Sequence, residues 1–355
     1  MDSKKIVGIH TGPDTHLDHL GVLCAILHIP LIVTEENTLQ LAKKFYPDCQ
    51  TIFIPHSDLS IGFLAENFDV IFECGKFWAL ELVPLLELLH QKNMRIVFCP
   101  HGNSDKGHSL SFPIEQDISL VYGDHMIDLL KKTGSFSQKM LRTGNYRFLY
   151  YTLNKSFYDE RAQEEIFSRL NEQQKTVLYA PTWDEKENPT SFFDACEDVI
   201  LQLASDFNLI IKLHPFLEEH YPAQTYRILA QYEGHQNVLF LNAFPPIYPL
   251  LDKTDIYIGD FSSIGYDFLV FDRPMYFFNP LPKEIRSGQG SFLHRCGIEI
   301  PTCEQKTIRS FIESTMEQNV SSLSSIRKQI YNYAFGEEIP FENLRNDLLS
   351  IESSL

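Results

Sequence analysis

Short apolar runs alternate with longer amphipathic stretches along most of the chain. In the first half, runs at Lys5–His10, Leu31–Thr34, Thr51–Pro55, Val70–Cys74 and Arg95–Pro100 predict strands. Helical spacing appears between them, near His16–His28, Glu36–Tyr46 and Phe77–Gln91. In the second half the predicted strands are Thr176–Ala180, Leu209–Leu213, Val238–Leu241, Ile256–Gly259 and Met275–Phe278. Helices are predicted near Ser191–Ser205, Ile247–Lys253, Ser262–Phe271 and Glu304–Gln318. Strands that are apolar throughout are covered on both faces, and strands that alternate with helices form parallel sheets. Two such series predict an α/β chain with two Rossmann-like, doubly wound parallel-sheet domains facing a cleft. The polar segment Tyr151–Gln174, with Glu160–Leu170 helical, is the expected crossing. The first domain is then expected over residues 1–155 and the second over 156–335. A C-terminal segment, 336–355, is expected to pack near the domain junction. Ser325–Tyr333 and Phe341–Leu349 read as helices.

The length of 355 residues agrees with two cores, and 44% hydrophobic residues suffice to fill them. Thirty Lys and Arg against 47 Asp and Glu leave a net charge of −17. That excludes nucleic acid as a partner, because phosphate binding needs clustered cations. It also argues against wholesale adsorption to anionic lipid. Lys131, Lys132, Lys139, Arg142, Arg147 and Lys155 nevertheless fall close together. This stretch is either a solvated surface or a peripheral membrane contact. Seven scattered cysteines without a CxxC pair give neither a zinc site nor a disulfide framework. No apolar leader opens the chain and no run reaches about 18 apolar residues. The expected location is cytoplasmic, with the inner face of the cell membrane as a peripheral site.

Ligands of doubly wound sheets bind outside the carboxyl ends of the strands. Ile256–Gly259 leads through Asp260 to Ser262 and Ser263, which open an apolar helix. Such a turn aims backbone N–H groups and two hydroxyls at one point, as a phosphate site does. The alternative is a serine N-cap with no ligand. Arg95–Pro100 leads to His101-Gly102-Asn103-Ser104-Asp105-Lys106. A histidine there can take a proton near neutral pH, unless the segment is a polar turn only. Thr182 follows Thr176–Ala180 and can donate to a ligand oxygen; Trp183 lines the cleft or packs. His214 follows Leu209–Leu213, with Lys212 just inside, and is either structural or a ligand contact. Asp267 accepts from ribose hydroxyls or is a solvated helix acid. After the first strand come His10, Asp14, His16, Asp18 and His19. They suit a metal, an acceptor contact or a plain loop.

Taken in order, HG-x-x-x-K, LYAPTW, IIKLHP and GDFSSIGYDFLVFDRPMYFF resemble the CDP-glycerol glycerophosphotransferases. That family comprises teichoic-acid primases and polymerases of the two-Rossmann GT-B fold. The resemblance runs from about Arg95 to Phe278 and more weakly beyond. It implies a transferase that moves an alditol (glycerol) phosphate from a CDP-linked donor to a hydroxyl acceptor, releasing CMP. The acceptor would be a polyol or a glycan- or lipid-linked hydroxyl, and no metal or cofactor is implied. It makes His101 the general base and His214 a second catalytic histidine at the donor phosphates. Ser262, Ser263, Thr182 and Lys212 would bind the donor phosphates and Asp267 the ribose. His10, His16 and Lys106 would stand on the acceptor side. Asp105, and Asp184 with Glu185, replace residues that are usually basic in the family, which favours a single transfer to another acceptor. A UDP-sugar glycosyltransferase or epimerase of the same fold, or a nucleotide-binding protein without catalysis, are the alternatives.

Overall fold

The computed structural model describes residues 5–75, 78–105, 118–135, 137, 139–183, 189–278 and 292–350. The chain divides into two compact units, Met1–Asn154 with Tyr333–Leu355, and Lys155–Asn332.

The first unit carries β1 (Ile6–His10), β2 (Leu31–Val33), β3 (Thr51–Phe53), β4 (Val70–Glu73), β5 (Arg95–Phe98), β6 (Ile118–Val121) and β7 (Lys139–Arg142). They pair in the order β3-β2-β1-β4-β5-β6-β7, every pairing parallel. The second unit carries β8 (Thr176–Ala180), β9 (Asn208–Lys212), β10 (Val238–Leu241), β11 (Ile256–Gly259), β12 (Met275–Phe278) and β13 (Ile298–Ile300). Their order is β10-β9-β8-β11-β12-β13, again all parallel. In each sheet the order reverses beside the first strand, β1 or β8. A crevice opens at that point in a doubly wound sheet.

Burial on both faces explains the apolar strands. Val7, Ile9, Ile32, Ile71 and Ile96 pack with Leu64, Leu86 and Met94 in the first unit. Val177, Tyr179, Leu209, Ile211, Ile256 and Ile258 pack with Phe192, Val199 and Leu203 in the second. Each such side chain contributes about 1.5–3 kcal/mol by leaving water.

Three strands were not legible in the pattern. β7 and β13 are sheet edges with polar residues, Lys139 and Arg142 in one and Glu299 in the other. β6, Ile-Ser-Leu-Val, has polar Ser119 inside its short apolar run. The helices expected at Glu304–Gln318 and Ser325–Tyr333 form one, Ile308–Phe335. Its serine-rich middle looks like a break, yet it contains no Gly or Pro to make one. Asn319 and Arg327 anchor it instead. Asn319 Nδ2 donates to Met275 O at 2.7 Å, and buried Arg327 donates from Nε to Asp272 Oδ1 at 2.8 Å.

The basic stretch is smaller than its sequence suggests. Arg147 is buried against Asp18 at 2.7 Å, Arg142 pairs with Asp124, and Lys155 pairs with Asp159 at 2.8 Å. Among the described residues, no helix is long and apolar enough to cross a membrane.

Candidate functional site

In the second unit, the neighbouring strands β9, β8 and β11 end in three of the predicted motifs. β8 leads to Thr182, β9 to His214 and β11 to Asp260 and the serines. Asp260 is 1% exposed and ties two of these ends together. Its Oδ2 accepts the N–H of Thr182 at 2.8 Å and of Ser191 at 3.1 Å. It thus fixes the turn after β8 and the start of helix Phe192–Leu203. Gly259 is needed beside it. A Cβ there would lie 2.5 Å from the Tyr257 hydroxyl and 2.8 Å from Ala180 O.

Ser262 stands at the N-cap position of the short helix Ser263–Phe268, yet its hydroxyl accepts no helix N–H. Its hydroxyl is instead 3.4 Å from that of Tyr257, whose pKa burial pushes up, so the phenol stays protonated. The capping alternative is therefore not what this side chain does. Ser262 and Ser263 both remain half-buried.

His214 caps helix Pro215–His220, with Nδ1 accepting the Phe216 N–H at 3.2 Å. An accepting Nδ1 puts the neutral ring's proton on Nε2. His214 is thus a hydrogen-bond donor at Nε2, a form suited to a phosphate oxygen. Trp183 packs with Phe216, His220 and His214, at ring separations of 5.0, 5.7 and 6.2 Å. Thr182 is buried. Lys212 is 4% exposed at the end of β9. Asp267 is 3% exposed and accepts the Tyr248 hydroxyl at 2.9 Å. It is therefore not the solvated helix acid that the sequence left open.

In the first unit, His101 follows β5 beside β4, and its ring hydrogen-bonds to the backbone of Cys74. The side chain is solvent-exposed. Surrounding protein nevertheless restricts its hydration, and this desolvation lowers its pKa, favouring the neutral, proton-accepting form. His16 stacks on it with ring centres 4.6 Å apart and planes 26° apart. His10 meets His16 edge-on at 6.3 Å and is itself buried, with Nε2 donating to Pro13 O at 3.1 Å. Stacked and edge-on rings do not converge their nitrogens on one point. Among the described residues no group of three or more His, Cys, Asp or Glu is arranged to hold a metal.

Behind His101 the loop is braced. The Tyr122 hydroxyl donates to Pro100 O at 2.9 Å and accepts from His19 Nδ1 at 2.8 Å. Burial, the Arg147 cation and the neighbouring His16 and His101 hold the His19 pKa well below normal. Asp18 is taken by Arg147 and by the Tyr46 hydroxyl at 3.0 Å. It serves the fold of this loop. Lys106, Asp184 and Glu185 lie outside the described residues.

Asp260 and Tyr122 were given no role from sequence, and His19 stood only among the metal, acceptor or plain-loop candidates after the first strand. The signal for Asp260 was the acid directly after an apolar strand. Nothing in the pattern pairs Tyr122 with His19, 103 positions away.

Comparison with known proteins gives these residues a context. The family described as CDP-Glycerol:Poly(glycerophosphate) glycerophosphotransferase matches residues 109–329. A teichoic acid poly(glycerol phosphate) polymerase of Bacillus subtilis (strain 168) is 26% identical over 227 residues. The match takes in 60% of this chain but only 29% of that relative's length. Among solved structures, the wall teichoic acid polymerase TagF superposes with a TM-score of 0.69 at 13% identity, covering 98% of this chain and 89% of that one. The Staphylococcus aureus MnaA–UDP complex superposes at 0.64, also at 13% identity, covering 99% and 98%. At such identities these likenesses speak for the fold alone.

Proposed function

We propose, because the chain belongs to the CDP-glycerol:poly(glycerophosphate) glycerophosphotransferase family, that it transfers an alditol phosphate from a CDP-linked donor to an acceptor hydroxyl. The observation that carries this is the second unit's strand ends. There the Ser262 hydroxyl is not used as a helix cap, and Asp260 holds the adjoining turn in place.

In this reading Ser262, Ser263 and the Nε2–H of His214 hold the diphosphate oxygens. Thr182 and Lys212 assist from the ends of β8 and β9, and Asp267 takes a ribose hydroxyl through its carboxylate. The acceptor oxygen attacks the alditol-bearing phosphorus. The new P–O bond forms as the bond to the bridging diphosphate oxygen breaks, and CMP leaves with the electron pair. His101 takes the proton of the attacking hydroxyl, a role worth about 10²–10⁴-fold in rate. The lowered His101 pKa supports that role, since a base must start unprotonated. Lys106 is assigned to the acceptor side by resemblance. The acceptor is a polyol or a glycan- or lipid-linked hydroxyl, met at the inner face of the membrane. The similarity to teichoic acid enzymes supports that choice.

The fold likeness to a UDP-bound protein gives a competing donor. Calorimetry with CDP and UDP separates the two. The proposal expects CDP to bind at least tenfold more tightly; a preference for UDP sinks it.

A further inference from the structure

His16 is built into the loop after β1 in a way that an ordinary loop histidine is not. Its ring lies against the backbone of Gly12, where an added Cβ would be 2.5 Å from Nδ1 and 3.0 Å from Cε1. Only glycine leaves room for the ring at that spot. The loop itself is pinned at two places. Pro13 O accepts both the His10 ring at 3.1 Å and the His16 N–H at 2.8 Å. The Asp14 carboxylate accepts Thr38 Oγ1 at 2.6 Å and Asn37 Nδ2 at 3.0 Å, both from helix Glu36–Phe45. So His16 is held on one side by Gly12 and touches His101 on the other, 4.6 Å away and near-parallel.

We propose that His16 is the positioning residue of His101, a flat face that fixes the ring of the base and lies over the imidazolium formed when it takes the acceptor proton. This rests on His101 being the base. An aromatic face within about 6 Å of a cation attracts it, provided that the face itself is neutral. His101 lies on one face of His16, and His10 and His19 are close by. Two imidazolium rings stacked at this distance would repel, so proton uptake by His101 requires His16 to stay neutral.

The test uses the full chain with CDP-glycerol and an acceptor pool, and compares wild type with His101→Ala, His16→Ala and His16→Phe. His16→Ala should lower kcat by about 10- to 100-fold, the scale of lost positioning, with the donor KM changed less than about twofold. His16→Phe keeps the flat face and should retain kcat within about fivefold. Independently of turnover, the His101 ring protons should show a ring-current shift in wild type and His16→Phe that disappears in His16→Ala. Equal loss in His16→Phe and His16→Ala overturns the proposal, as does wild-type kcat in both. A change confined to the acceptor KM also overturns it, in favour of direct acceptor contact. So does a ring-current shift that survives His16→Ala. If His101→Ala itself keeps full activity, the base assignment fails, while the ring-current comparison still decides whether His16 positions His101. If His16→Ala does not fold, His16→Phe against wild type carries the kinetic test: a loss beyond tenfold overturns the proposal.

Discussion

Replacing Asp260 probes a residue that holds the fold beside the proposed donor site. One oxygen of this buried carboxylate accepts two backbone N–H groups, from Thr182 at 2.8 Å and Ser191 at 3.1 Å. Asp260→Ala orphans both. An unsatisfied buried donor costs about 1–3 kcal/mol, so the total is about 2–6 kcal/mol. Asp260→Asn puts a neutral carbonyl in the same place. A bond to a charged acceptor is worth about 1.5–3 kcal/mol and a neutral one about 0.5–1.5, so the loss is about 2 kcal/mol for the pair. Alanine should therefore cost more than asparagine, and both should weaken CDP binding by loosening the turn at Thr182. Urea unfolding of the three proteins, followed by circular dichroism and tryptophan fluorescence, measures the order. Equal stability of the two variants, or an alanine cost below about 1 kcal/mol, would refute the reasoning. It would mean that water or another acceptor serves these amides.

Other expectations follow from the same geometry. Ser262→Ala should weaken CDP-glycerol binding by about 1–3 kcal/mol, read by calorimetry; an unchanged Kd removes the serine from the donor site. His19 has a depressed pKa when folded, so its stabilising contribution is complete above its ordinary value of 6.5. It is lost as pH falls through the lowered value. The melting temperature should drop on acidification below 6.5, and His19→Asn should flatten that slope, whereas an unaltered slope would contradict the assignment. His101 titrates below 6.5 for the same reason, desolvation. The acid limb of kcat/KM for CMP release should therefore fall below that pH, and a limb above it would argue for another base.

The positions of the strands were readable because burial on both faces leaves an unbroken apolar run. Thr176–Ala180, Val238–Leu241, Ile256–Gly259 and Met275–Phe278 fall where that pattern put them. Lys139–Arg142 and Ile298–Ile300 were missed because polar residues, Lys139 and Arg142 in one and Glu299 in the other, break the apolar run at these two sheet edges. The helix expected at His16–His28 was legible only in its later part. Its first turns, Asp14–His16 and Leu17–Gly21, are wound differently, and there the Asp18–Arg147 pair is buried. Motifs at strand ends were legible because the chain places them directly after an apolar run. Their supports were not. Tyr248 under Asp267, Tyr122 under Pro100 and the His16–His101 stack join residues far apart in sequence. No local pattern encodes those distances.

The most direct test is nucleotide release. Purified protein is mixed with CDP-glycerol and a membrane-derived acceptor pool, and CMP is measured by chromatography beside a UDP-sugar control. The account predicts CMP that depends on acceptor, falls by about 10²–10⁴-fold in His101→Ala, and has no UMP or UDP counterpart in the control. No acceptor-dependent CMP from CDP-glycerol or CDP-ribitol, or equal CMP from His101→Ala, would contradict it.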